Sequence, residues 1–251
     1  MDTQFRIWMD QLNKAAGNRV AVPEWPRLLQ LMLHHQLELE MTEDRPYVGR
    51  RILIDRTSHK WEKATVAEKR AVYGLYHRCL KKSHSVLTIA KEHYLLLSYE
   101  VPNQGNHGGR RADLLGINKN GGLVVFEAKV EGNGYGPVAA TLEGLDYLST
   151  LSGETNFAQM QGEFPDLIAS IDKAGYPISE TFHNINPQKN ARREVIVLAP
   201  PEYFKKYDKT ARGKGWQDLS LLKPSESLVG IRFAKCKLVE GVFSKTAEWC
   251  N

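Results

Sequence analysis

The chain has 251 residues, enough for one large domain or for one domain with a helical extension. It is 42% hydrophobic and 25% charged, an ordinary globular composition. No apolar run approaches the ~18 residues of a membrane span, and the start has no basic-then-apolar signal, so a cytoplasmic protein away from membranes is the default expectation. The net charge of +5 permits attraction to phosphates. Cys79, Cys236 and Cys250 are an odd number with no close pair, so neither a disulfide framework nor a zinc knuckle is expected.

Residues 1 to about 92 read as mostly helical. Phe5, Trp8, Met9 and Leu12 fall at helical spacing, and Pro23-Glu24-Trp25-Pro26 breaks that helix. Leu28 to Leu39 reads as a second helix. A third begins near Thr65 and runs through Val72, Leu75, Tyr76 and Leu80, and a fourth covers about Ser83 to Glu92. This divides the chain into a helical region over 1–82 and a main domain over 83–251. His93 to Val101 alternates as a strand, and 102–109 is a loop by composition.

Two apolar runs follow, Ala112 to Ile117 and Leu123 to Phe126. Asn118-Lys119-Asn120-Gly121-Gly122 between them is turn chemistry, so the pair reads as a β-hairpin. Glu131-Gly132-Asn133-Gly134-Tyr135-Gly136 has the glycine content of a phosphate loop but no GK[ST] after it, and is expected to be a loop beside a substrate groove. Pro137 suits the first turn of a helix running to about Leu151. Glu143 and Tyr147, four apart, share a face of it. Residues 152–191 are polar and broken, with one short helix near Pro165 to Ala174. Glu194 to Ala199 is a buried strand, and Glu202 to Tyr207 a helical turn or two. Lys209, Arg212 and Lys214 sit in a basic loop that is a candidate phosphate contact, and Leu228 to Leu238 reads as the last strand.

The hairpin carries the chemistry. Asp113 lies on its first strand. Glu127 and Lys129, two apart, point the same way from its second, while Phe126, Ala128 and Val130 point the other. Two carboxylates about 4 Å apart repel by roughly 4 kcal/mol at an effective dielectric near 20. One lysine offsets part of that, and a divalent cation with oxygen ligands offsets all of it. A strand-end salt bridge from Glu127 to Lys129 or Arg111 is the plainer alternative.

Gly109-Arg110-Arg111-Ala112-Asp113-Leu114-Leu115-Gly116, a short turn, then Leu123-Val124-Val125-Phe126-Glu127-Ala128-Lys129 resembles the core of the PD-(D/E)xK nuclease superfamily, most densely over about residues 95 to 150. The resemblance implies a restriction-endonuclease-like α/β/α sandwich with a central mixed β-sheet, preceded by the helical N-terminal region. It implies a metal-dependent endonuclease acting on nucleic acid, with DNA favoured. Asp113 and Glu127 would bind Mg²⁺, with Mn²⁺ as a substitute and the Ala128 carbonyl completing the protein ligands. Lys129 would orient the attacking water or take its proton; acting as a base would need its pKa to fall far below ~10.4.

Glu100 fits the slot of a glutamate that relatives carry at the end of the preceding strand; Glu92 and Glu68 are weaker candidates. Relatives in one branch place a Gln and a Tyr four apart on the following helix. Tyr147 matches, and Glu143 replaces the amide with a charge. Arg110 or Arg111 would grip the phosphate in a bidentate manner. A homodimer would suit cleavage of both strands, though nothing marks an interface. The alternative function is a non-catalytic nucleic-acid- or protein-binding module.

Overall fold

The computed structural model describes residues 50–102, 111–131, 136–208 and 229–250. The helices expected before residue 50, the loop containing Arg110, the centre of the glycine-rich loop and the basic loop after Asp208 lie outside the described residues.

Helix α1, Ala67–Ser83, buries Ala71, Val72, Leu75, Tyr76, Cys79 and Leu80, a stripe at helical spacing that packs on the sheet. The helix does not continue to Glu92. His84 and Ser85 adopt φ of 52° and 65°, and the Ser85 N–H donates to the Cys79 carbonyl at 3.1 Å. This left-handed exit reverses the chain into strand β1, Val86–Ile89, which pairs antiparallel with β2, Glu92–Pro102. Strand β3, Arg111–Asn118, pairs antiparallel with β2 and with β4, Leu123–Ala128. In the β3–β4 turn the Asn118 Oδ1 accepts the N–H groups of Asn120 and Gly122, both at 3.0 Å, and Gly121 supplies a φ of 80°.

Helix α2, Pro137–Ser152, crosses over β4 and β5, Arg193–Ala199, which run parallel. Helix α3, Glu154–Lys173, is twice the expected length. It buries Phe157, Met160, Phe164, Leu167 and Ile171, with Pro165 inside it rather than at its start. Helix α4, Pro201–Asp208, leads towards β6, Val229–Lys235, which is parallel to β5. A short ribbon of β7, Leu238–Val239, and β8, Val242–Phe243, precedes β9, Thr246–Trp249.

Strand β9 corrects the expected architecture. It pairs parallel with β1 through Thr88↔Thr246 and Ile89↔Ala247, and antiparallel with β6 through Ala234↔Trp249 and Lys235↔Glu248. Both edges of the sheet are thereby covered, and the molecule is a closed, mixed seven-stranded barrel in the order β1-β2-β3-β4-β5-β6-β9, not an open α/β/α sandwich. The sandwich expectation failed because it ended the sheet at Leu238 and read Ser83 to Glu92 as helix. Nor are residues 50–66 a helical extension: among them only Trp61–Lys63 forms a single 3₁₀ turn. Among the described residues no helix is long and apolar enough to cross a membrane.

Candidate active site

The β3–β4 hairpin sets the site. Leu114 pairs with Phe126, so one step further out Asp113 stands opposite Glu127. Asp113 Oδ2 accepts the Ala128 N–H at 2.8 Å, which fixes one of its oxygens. Glu127 is held by strands on both sides, with Val197 of β5 as its other neighbour, and is 2% exposed. Lys129 leaves the strand but its N–H still donates to the Leu198 carbonyl at 2.9 Å, and the residue is 5% exposed.

Helix α2 closes the site from above. A Cβ on Gly144 would lie 2.4 Å from Val195 Cγ1 and 3.2 Å from Glu127 Cγ, so the missing side chain is what lets the helix sit this close. The approach brings Glu143 to Lys129, whose Nζ donates to Glu143 Oε2 at 3.1 Å and to Glu127 Oε2 at 3.5 Å. Tyr147, one turn on, is buried, and its phenol is pushed up by burial and then by the charges of Glu127, Glu143 and Asp113. Five predicted residues are thus brought together: Asp113, Glu127, Lys129, Glu143 and Tyr147. Glu68, in the first turn of α1, also acts electrostatically on Asp113, Glu127 and Lys129.

The electrostatics follow from crowding acids in a dry place. Burial raises the Asp113 carboxyl to about 7, with Lys129 opposing and Glu68 adding to the rise. Burial, then Asp113, holds Glu127 well above the ordinary carboxylate range. For Lys129 burial pushes downward, but Glu127, Glu143 and Asp113 together outweigh it and hold the ammonium well above an ordinary lysine. Lys129 is therefore held as a cation in this arrangement.

Glu127 Oε1 is buried and has no hydrogen-bond partner. A buried, unpaired carboxylate oxygen costs free energy unless something meets it. A hard cation suits it. Among the described residues no three His, Cys, Asp or Glu side chains gather as a ligand set. Asp113 and Glu127 are the two carboxylates here that could hold such a cation.

The remaining candidates make other contacts. Glu100 is ion-paired with Lys69 and with Arg111 Nη1, the latter at 3.2 Å, and bonds the Tyr73 phenol. Arg111 is half-exposed, with its guanidinium turned to Glu100. Arg110 is outside the described residues. Glu92 belongs to the other end of the sheet, where it chelates Arg232 at 2.5 and 2.6 Å beside Tyr94 and Glu194. A cavity of about 550 Å³ opens there, away from the acids.

Lys69, Tyr73 and Gly144 were not singled out from sequence. A glycine in mid-helix beside Glu143 was the one available signal, since it marks close approach. Comparison with protein-family models, with curated proteins and with solved structures finds no match to this chain.

Proposed function

We propose that this chain is a Mg²⁺-dependent hydrolase of nucleic-acid phosphodiesters, with DNA the favoured substrate and a PD-(D/E)xK-type site. The reading rests on the motif and the local geometry and owes nothing to the overall architecture. The observation that carries it is the unpartnered Glu127 Oε1, buried beside Asp113 while the other Glu127 oxygen faces Lys129.

Asp113, Glu127 and the Ala128 carbonyl would hold the cation. The chemistry that Mg²⁺ would supply there is acidification of a water and neutralisation of charge on the phosphate. Asp113 and Glu127 lose their protons when they ligate, which their raised affinity for protons resists at neutral pH. Lys129, held charged, donates to the attacking water or to a phosphate oxygen and stabilises the transition state electrostatically. Glu143 holds the ammonium in place, and Tyr147 feels the charges of the same acids.

The test is incubation of the purified protein with supercoiled and single-stranded DNA in Mg²⁺ or in EDTA. Metal-dependent cleavage supports the proposal. Salt-sensitive binding with no product in either condition would instead assign a binding module.

A further inference from the structure

Glu100 stands between two ladder pairs, Tyr99↔Leu114 and Val101↔Ala112, which places it level with Asp113 on the neighbouring strand. Its backbone has φ of 48°, a conformation uncommon for a residue with a long side chain and unfavourable in itself. That backbone delivers the carboxylate to two cations, Lys69 on α1 and Arg111 on β3. The cations are about half exposed, at 51% and 48%, while Glu100 is 18% exposed. Tyr73 donates to the same carboxylate, and its ring is stacked on Tyr99 at 4.3 Å, so the acceptor is fixed in place.

Arg111 is tied to the acidic site through its own strand, and Lys69 through the Glu100 carboxylate that the two cations share. Arg111 is two residues before Asp113 and on the same side of β3. A guanidinium and an ammonium converging on one pair of oxygens are the recognition chemistry of a phosphate. A strained glutamate filling that position has the charge and the shape of a stand-in.

The geometry points to Lys69 and Arg111 as a phosphate subsite beside the catalytic acids, occupied in the free protein by the Glu100 carboxylate and taken over by a backbone phosphate of bound nucleic acid. This rests on the reading of the chain as acting on nucleic acid. Glu100 is here a positioning residue that competes with substrate. A strand bound at this subsite would have a neighbouring phosphodiester brought towards Asp113 and Glu127.

The test is equilibrium binding of a fluorescent duplex oligonucleotide by the full chain, in Ca²⁺ without Mg²⁺, over a salt series. Glu100→Gln should bind about 3–10-fold more tightly, because the competing charge is gone. Lys69→Ala and Arg111→Ala should each bind about 3–10-fold more weakly and lower the salt slope by about one. In the Lys69→Ala/Arg111→Ala background the gain from Glu100→Gln should vanish. Should Glu100→Gln fail to fold, Glu100→Asn, which tolerates the left-handed backbone, takes its place with the same expectation.

Unchanged or weaker binding by the folded Glu100 variants overturns the subsite, as does a gain that persists without the two cations. The two ideas fail separately. Cleavage by the parent with no effect of Glu100→Gln on binding removes the subsite alone. The expected binding shifts without cleavage support the subsite and remove the catalysis. No binding of the oligonucleotide by the parent removes the subsite as well.

Discussion

Lys129 Nζ lies 3.1 Å from Glu143 Oε2, a contact between the end of a barrel strand and the helix that crosses it. With Glu127 on the ammonium's other side, the lysine is charged and immobilised in a pocket where it is 5% exposed. A cation so placed acts by position, and its removal has two separable effects.

Lys129→Met should reduce Mg²⁺-dependent cleavage by about 10²–10³-fold, the range for losing one preorganised electrostatic donor. It should leave the chain folded, because Glu127 and Asp113 can take up protons once their counter-ion is gone. Single-turnover cleavage and a thermal melt measure the two effects. Undiminished cleavage would remove Lys129 from the mechanism.

Asp113→Asn should stabilise the metal-free protein in alkaline solution. The folded state raises this carboxyl from 3.8 to about 7. It therefore holds the proton more tightly than the unfolded chain does, so stability is lost as pH rises through that interval, and the full cost is felt above about 7. Asparagine carries no charge to bury and can still accept the Ala128 N–H. The expected gain at pH 8 in EDTA is on the order of 1–3 kcal/mol, shrinking towards zero below about pH 4. Melts of both proteins across pH test this, and parallel curves would contradict it.

Gly144→Val should destabilise by roughly 1–3 kcal/mol through overpacking. The added atoms meet Val195, whose branched side chain has few rotamers to escape into, and then Glu127. Helix α2 must lift, so cleavage should fall even where the protein stays folded. Denaturant titration and activity measured on the same sample check both parts, and an unaltered midpoint would show that the helix sits less closely than described.

How far the molecule was legible in its sequence depended on whether a feature was local. The β3–β4 hairpin was, because alternation and an Asn-Gly turn are both short-range, and its register alone sets Asp113 opposite Glu127. Strand β1 was hidden by turns built on His84, Ser85 and Ala90, all at positive φ without glycine. Only the second half of helix α3 is legible, because a proline favours a helix start, whereas this helix holds Pro165 in its interior. Strand β9 has four residues and exists by pairing with β1 and β6, so nothing local announces it. The site divides the same way. Glu127 and Lys129 follow from spacing, but Lys129–Glu143 and Glu100–Lys69 depend on where two helices dock.

The central claim is that Asp113 and Glu127 give up protons to a divalent cation. Calorimetric titration with Mn²⁺ in two buffers of different ionisation enthalpy, at pH 6 and at pH 8, tests it most directly. The account predicts binding that tightens with pH and releases about one proton or more per ion at pH 6, and that disappears in Asp113→Ala/Glu127→Ala. Mn²⁺ binding of equal strength in the double variant, or binding without proton release at either pH, would contradict it.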